Sequence, residues 1–211
     1  MSIHLPDEAT FGTSVPILII GGGACGLIAA LAAHAGGCEA VIVERDPIPA
    51  GSTALSSGMI PAAGTRQQAA LNIEDSAQLF ARDIMAKTKN RTDAAMVAAI
   101  CAASGPTIDW LAGDCGIELQ LVEGFLYPGH SRLRMHSPPG KTGVELMDQL
   151  RGAAEARGIE ILTSAAATGI DVNVLEVTGS VYEVYRSEHG WHTVCGSSRC
   201  FVDALLARGF G

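Results

Sequence analysis

At 211 residues, 48% of them hydrophobic and with a mean hydropathy of +0.27, the chain can bury a sizeable core and does not have the composition of a disordered segment. Fourteen Lys and Arg against 22 Asp and Glu give a net charge of −8, which excludes the general electrostatic attraction by which basic proteins hold nucleic acid or anionic membrane. The six cysteines (Cys25, Cys38, Cys101, Cys115, Cys195 and Cys200) are scattered without CxxC or Cys/His spacing, so neither a disulfide frame nor a metal site is expected.

On length the chain reads as one domain, 1–211. MSIHLPDEATFGTSVP has no basic start followed by an apolar run, and no apolar run approaches the roughly 20 residues that span a bilayer. A cytoplasmic location without a membrane partner is the expectation.

Residues 16–20 (PILII) form a short apolar run stopped by three glycines, the pattern of a strand buried on both faces. Ala24 to Ala35 is rich in Ala and Leu and is followed by Gly36 and Gly37, where a helix wants a left-handed cap. EAVIVE is a second apolar strand that ends on an acid. Strand, glycine turn, helix and strand within 16–45 make a βαβ unit, which predicts an α/β fold with a parallel sheet and flanking helices.

Residues 47–65, PIPAGSTALSSGMIPAAGT, are small and Gly/Ser-rich, with too little bulk for a core element. A helical region follows over 73–158. Helical spacing predicts amphipathic helices over about 73–86 and 92–111, with Asp93 as a first-turn acid, and a further helix in VELMDQLRGAAEARG closing on Gly158. The Met and Ala stripe at 94–103 reads as core packing. Between these helices lies an irregular loop, GFLYPGHSRLRMHSPPGKTG, that concentrates His130, Arg132, Arg134, His136 and Lys141 in an acidic chain. IEILTSAAATGIDV reads as one strand, and 172–207 as a small antiparallel β-meander.

The chemistry resides first in Gly21-x-Gly23-x-x-Gly26, which follows a strand and opens a helix. The first glycine permits the tight turn, the second lets backbone approach a pyrophosphate, and the third lets helix and strand pack closely. The phosphate charge would meet the free N–H groups and positive end of the helix, with Ala24 and Cys25 in the first turn. Glu44 stands eighteen residues after Gly26, placed to accept hydrogen bonds from ribose hydroxyls. A carboxylate there repels a 2′-phosphate and disfavours NADP; Arg45 beside it is the counter-argument, although an arginine just past a strand end is more often solvated or stacked on adenine. NAD and FAD both fit so far. A small-residue loop directly after the acid, instead of further βα units, suits an extended FAD better than NAD.

With that loop the chain resembles the FAD-dependent flavoproteins of the fumarate reductase and succinate dehydrogenase type, whose soluble relatives include 3-ketosteroid Δ1-dehydrogenases and L-aspartate oxidases. The family signature GG-N-x-x-x-S/A-x-GG-x-NAA-x-T is similar to residues 50–65, AGSTALSSGMIPAAGT. DSAQLFARDI, RTDAAMVAAICAASGPTIDWLAGDCGIEL and HSPPGKTGVELMDQL…ARGIEILT follow in that family's order and spacing. The resemblance implies a Rossmann-like FAD-binding domain. Gly21, Gly23, Cys25 and Gly26 would bind the pyrophosphate and Glu44 the ribose. Ser52, Thr53, Ser57, Gly58 and Met59 would line the path to the flavin ring, with Ala63 and Gly64 beyond it, and Ala167 would meet the adenine with its backbone. Ser52 stands where membrane-bound members place the histidine that joins FAD covalently, so non-covalent FAD is implied.

The resemblance further implies hydride transfer between flavin N5 and a carbon next to a carbonyl or carboxylate, forming or reducing a C=C bond of a small-molecule substrate. The family's capping domain and its proton-donating residue lie past the first two hundred residues, so the cap is expected to be absent here and no catalytic residue is assigned. A second chain or a C-terminal part would supply it; the alternative is a truncated or degenerate flavin-binding module without turnover of its own. Arg208 departs from a small glycine of the family. His130 and His136 are substrate-side candidates, since a histidine with Arg132 and Arg134 nearby can hold a carboxylate; the competing reading makes them solvated loop residues. Lys141 is expected in solvent.

Overall fold

The structure, a computed structural model, describes residues 2–4, 14–167, 169–173, 180–187 and 190–197. In chain order the first half runs β1 Ser2–His4, β2 Ser14–Val15, β3 Ile17–Ile20, α1 Ala24–Ala35, β4 Ala40–Val43, α2 Gly51–Ala54, β5 Ile60–Pro61, α3 Arg66–Ala70 and α4 Ala77–Lys87. It continues with α5 Ala94–Gly113, β6 Gln120–Leu121, β7 Met135–Ser137, α6 Gly143–Glu155, β8 Glu160–Leu162, β9 Gly169–Asn173, β10 Ser180–Ser187 and β11 Gly190–Ser197. The chain divides into two compact units: unit 1 comprises Met1–Thr53 and Leu150–Gly211, unit 2 Ala54–Gln149.

Unit 1 is built on the parallel sheet β3-β4-β8, with Ile17↔Ala40 to Ile20↔Val43 on one side of β4 and Val41↔Glu160 to Val43↔Leu162 on the other. The central strand β4 is buried throughout, and full burial of a side chain such as Ile42 contributes roughly 1.5–3 kcal/mol. β3 departs from the expected burial on both faces. It is an edge strand of this sheet among the described residues, and Ile20 is 44% exposed. Helix α1 turns Gly26, Leu27, Ala30, Leu31 and Ala33 inward, a helical stripe. Its end is closed by Gly36 N–H on Ala32 O and Gly37 N–H on His34 O, with Gly37 taking the left-handed conformation at φ +78.

The segment expected as one strand, 159–172, is two. After β8 the chain turns through Ser164, at φ +54, and re-enters as β9 in another sheet of order β1-β9-β10-β11-β2. There β9, β10 and β11 pair antiparallel, the anticipated meander. The rest of the 172–207 expectation (174–179, 188–189 and 198–207), and Arg208, lie outside the described residues. Cys25, Cys101 and Cys115 are free, whereas Cys38 is disulfide-bonded, contrary to the expectation of free thiols. Sequence spacing constrains only local pairing, and a disulfide needs proximity in space.

Unit 2 packs α4 on α5 around Ala63, Phe80, Val97 and Cys101 and carries the small antiparallel sheet β5-β7-β6. The helix expected from 73 starts later, at Ala77, because the Ser76 hydroxyl accepts the Leu79 N–H at 3.1 Å and caps it. Asp93 is an N-cap, not a first-turn residue, accepting from Met96 N–H at 2.9 Å. The 94–103 stripe is only partly core: Val97 and Cys101 are buried, but Met96 and Ile100 are 63% and 58% exposed. Contrary to the expectation from apolar runs, helix α5 has the length and apolarity to cross a bilayer, with 20 residues and a stretch of mean hydropathy 1.4, although Ser104, Pro106, Thr107 and Asp109 interrupt its apolar residues. Its Val97, Cys101, Gly105, Ile108 and Leu111 are buried.

Candidate functional site

In unit 1 the glycine turn is shaped by contacts that only glycine tolerates. Gly21 has φ +104 and donates its N–H to Val43 O at 2.8 Å, tying the turn to the end of β4. A Cβ on Gly26 would lie 1.9 Å from the Gly21 carbonyl oxygen, so helix α1 approaches the turn as closely as backbone allows. Gly23 is the N-cap of α1 and offers no side chain to cap it; a Cβ there would find nothing within 4 Å. No acid occupies the first turn. The result is an open space at the positive end of a twelve-residue helix, which favours an anion.

Glu44 is 8% exposed and is held by two backbone donors, Gly22 N–H on Oε2 at 2.6 Å and Asp46 N–H on Oε1 at 2.9 Å. Such charge-assisted bonds fix the carboxylate beneath the turn and leave each oxygen a further lone pair. A Cβ on Gly51, at φ +56, would lie 3.5 Å from Gly23 Cα, and Thr53 Oγ1 accepts weakly from Ala24 N–H at 3.4 Å. The small-residue segment after the acid therefore returns to the glycine turn. Cys25 and Ser52 are exposed beside it. Arg45 is exposed and pairs with Asp46 at 3.3 Å, with Glu44 a lesser electrostatic partner. Ala167 follows β8 in a loop, not on a strand, and packs with Val43 and Ala165.

Unit 2 gathers Ser57, Gly58, Met59, Ala63, Gly64, His130 and His136. Gly58, at φ +63, faces the Thr142 carbonyl oxygen, which a Cβ would approach to 2.6 Å, while Gly143 N–H bonds Ser56 O at 2.8 Å. Ala63 donates its N–H to Ser104 Oγ at 3.2 Å, and its carbonyl oxygen would lie 2.2 Å from a Cβ on Gly105. The segment expected to lack core character thus has Ala62, Ala63 and Thr65 buried, because small residues let it lie directly on α5. Gly64 (φ +75) and Ser57 are exposed, and Met59 is half-buried.

The cationic loop is divided: Arg134 and His136 are turned inward, whereas Arg132 and Lys141 stay exposed. Arg134 is completely buried, with Nε and Nη2 on the two Asp75 oxygens at 2.6 and 2.8 Å, Nη1 on Asp83 at 2.5 Å, and its guanidinium carbon 4.7 Å from the Phe80 ring centroid. Burial opposes its charge, but the two carboxylates hold its pKa above the ordinary value. Arg132 reaches the Glu74 carbonyl at 3.0 Å. His136 is 0% exposed and both its nitrogens are engaged inside unit 2, so it is not a surface open to substrate. His130 is half-buried against Phe80 and Tyr127, with Nδ1 buried and unpartnered; burial pushes its pKa down. Lys141 is exposed, as expected.

The profile of the family described as FAD binding domain matches residues 16–200. The chain belongs to this family. It is 31% identical over 192 residues to the probable fumarate reductase Ifc3 of Shewanella frigidimarina (strain NCIMB 400), covering 89% of this chain and 30% of that protein. It is 31% identical over 202 residues to the urocanate reductase of Eggerthella lenta, covering 94% of this chain and 32% of that protein. The open conformation of a flavocytochrome c3 fumarate reductase superposes with a TM-score of 0.75 at 27% identity, over 88% of this chain and 33% of that one. The chain therefore spans about a third of the length of these relatives. It is a fumarate reductase-like FAD-binding domain.

The residues fit that cofactor. A helix N-terminus whose N-cap, Gly23, carries no side chain and has open space beside it suits a diphosphate, and a buried, doubly oriented carboxylate suits a diol. Several residues of the FAD-binding domain escaped the sequence reading: Gly22, whose Cβ would lie 2.9 Å from Pro49 Cβ; Thr142 and Gly143 under Gly58; Ser104 and Gly105 under Ala63; and the capping box of α3, in which Thr65 and Gln68 satisfy each other's backbone N–H. Of these only the box had a legible signal, Thr-x-x-Gln.

Proposed function

We propose that this domain carries the FAD of an oxidoreductase that moves a hydride between flavin N5 and a carbon adjacent to a carbonyl or carboxylate, forming or reducing a C=C bond. The observation that supports it most is the N-terminus of α1, which its N-cap Gly23 leaves open, with Glu44 locked beneath it by Gly22 and Asp46. When bound, FAD supplies the two-electron chemistry, and the chain's residues bind and orient it. Gly21, Gly23, Ala24, Cys25 and Gly26 offer backbone and helix dipole to the pyrophosphate, Glu44 accepts from the ribose, and Ala167 offers its backbone to the adenine. Ser52, Thr53, Ser57, Gly58, Met59, Ala63 and Gly64 continue the path to the ring. A hydroxyl at Ser52 forms no covalent link to flavin, which supports non-covalent attachment. The fumarate and urocanate reductases among the relatives act, by name, on unsaturated acids, in keeping with a substrate carbon next to a carboxylate. Substrate capture and proton delivery fall to the portion that the matched relatives have beyond this domain, on the same chain or a second one.

An absorbance spectrum of the purified chain from about 300 to 550 nm, before and after acid precipitation, tests this reading. A flavin band that moves into the supernatant is expected. A colourless protein that takes up no added FAD would sink it.

A further inference from the structure

His136 is buried, polar and not required by the fold's hydrophobic logic. Its Nδ1 lies 2.8 Å from the Arg134 carbonyl oxygen and its Nε2 lies 3.0 Å from Thr65 Oγ1. A carbonyl only accepts, so Nδ1 carries the hydrogen; in the neutral ring Nε2 must then accept, and the Thr65 hydroxyl donates to it. Thr65 Oγ1 meanwhile accepts from Gln68 N–H at 3.2 Å, and the same Arg134 carbonyl receives Ala62 N–H at 2.9 Å. A continuous chain thus runs from Gln68 through Thr65 and the imidazole to Arg134 and back to Ala62. It brackets Ala62, Ala63 and Gly64 from both ends, while Ser104 and Gly105 of α5 support them from below.

We propose that His136, as the neutral Nδ1–H tautomer bridging Thr65 and the Arg134 carbonyl, is a positioning residue that fixes the Ala62–Gly64 backbone for contact with the flavin. The inference rests on the proposed reading that Ala63 and Gly64 meet the cofactor. Protonation would place a cation at a fully buried site and deprive the Thr65 hydroxyl of its acceptor, loosening the bracket. Burial, which depresses the imidazole pKa, keeps the ring in its neutral form. The charged group that acts on the ring is Asp109 on α5, itself bonded to Arg66 N–H at 3.0 Å; the backbones of Arg134 and Ile60 complete its polar surroundings. All of them remain in both variants below.

The test compares the full chain with His136→Asn and His136→Gln. Asparagine places an amide N–H where Nδ1 stands and falls short of Thr65, whereas glutamine reaches the Nε2 position and accepts from Thr65 but does not titrate. Amide hydrogen exchange of the FAD-free protein and FAD affinity by fluorescence quenching are followed from about pH 5 to pH 8, the range that spans imidazole titration. H136N is expected to speed exchange at Ala62, Ala63 and Gly64 roughly tenfold relative to α1 amides and to weaken FAD by a similar factor, the size of one lost hydrogen bond. H136Q recovers most of both. Wild-type affinity falls as the pH drops below the imidazole range, and that of H136Q does not. Wild-type exchange in H136N, or an acid limb retained in H136Q, overturns the proposal. If the exchange pattern appears but wild-type protein takes up no FAD, the bracket stands and the cofactor reading falls.

Discussion

The two units solve the same problem, holding an irregular small-residue loop in one conformation, by opposite means. In unit 1 the turn at 21–26 is shaped by missing atoms: Gly26 has no room for a Cβ, Gly22 has almost none, and the one buried side chain that matters, Glu44, is held by backbone N–H groups. In unit 2 the segment at 60–65 is shaped by added polar atoms, a buried network from Asp83 and Asp75 through Arg134 and Gln68 to Thr65 and His136. Close backbone packing is broken by insertion, and a buried charge network by deletion.

That contrast sets the order of expected damage. Arg134→Ala leaves the buried Asp75 carboxylate and the partly exposed Asp83 carboxylate without their shared cation and should cost about 3–5 kcal/mol in a denaturant melt. Asp75→Asn combined with Asp83→Asn and Arg134→Met should cost markedly less, because no unpaired charge remains. Equal losses in the two cases would mean that packing, not charge, holds this region. Gly26→Ala, which drives a methyl into the Gly21 carbonyl, should cost about 1–3 kcal/mol and abolish FAD uptake in the absorbance assay. Glu44→Gln must turn an amide N–H towards a backbone donor, Gly22 or Asp46, and should lose about 2 kcal/mol together with FAD affinity, measured by titration. Arg45→Ala, at an exposed ion pair, should leave the melting midpoint unchanged.

Acid should separate the units too. Burial lowers the His136 pKa below its ordinary 6.5, so the unfolded chain takes up that proton first. The stability it contributes is full above 6.5 and is lost as pH falls from there to the depressed folded value. Asp83 is held below its ordinary 3.8 by hydrogen bonds from Arg134 and Ser131, which outweigh burial; its contribution persists above 3.8 and disappears as pH falls through the folded value. Unit 2 should therefore weaken in two acid steps, and the upper one should vanish in H136Q when melts are repeated across pH. A single step at carboxylate pH would remove the histidine from this account.

The fingerprint was legible because its rules are local: strand, glycine spacing, helix and terminal acid lie within thirty residues and each follows from steric or dipole constraints on neighbours. The same local rules placed α1 at its observed bounds. They failed where a helix is chosen by its caps instead of its periodicity, as at α3, and where burial depends on distant backbone, as at Ala62–Thr65. His136 shows the limit most clearly. Its loop concentrates Arg132, Arg134 and Lys141, so it reads as solvent- or substrate-facing, yet pairing of β7 with β5 carries it to 0% exposure.

The sequence alone determined that the chain begins its first unit as a dinucleotide-binding βαβ fold and that the cofactor path continues through a small-residue loop, since turn conformation, helix capping and strand hydrophobicity are properties of adjacent residues. Only the tertiary structure decided which polar groups are buried and with whom they pair. Arg134 and His136 acquire their roles from Asp75, Asp83 and Thr65, more than fifty residues away along the chain, and no local pattern encodes a partner at that distance.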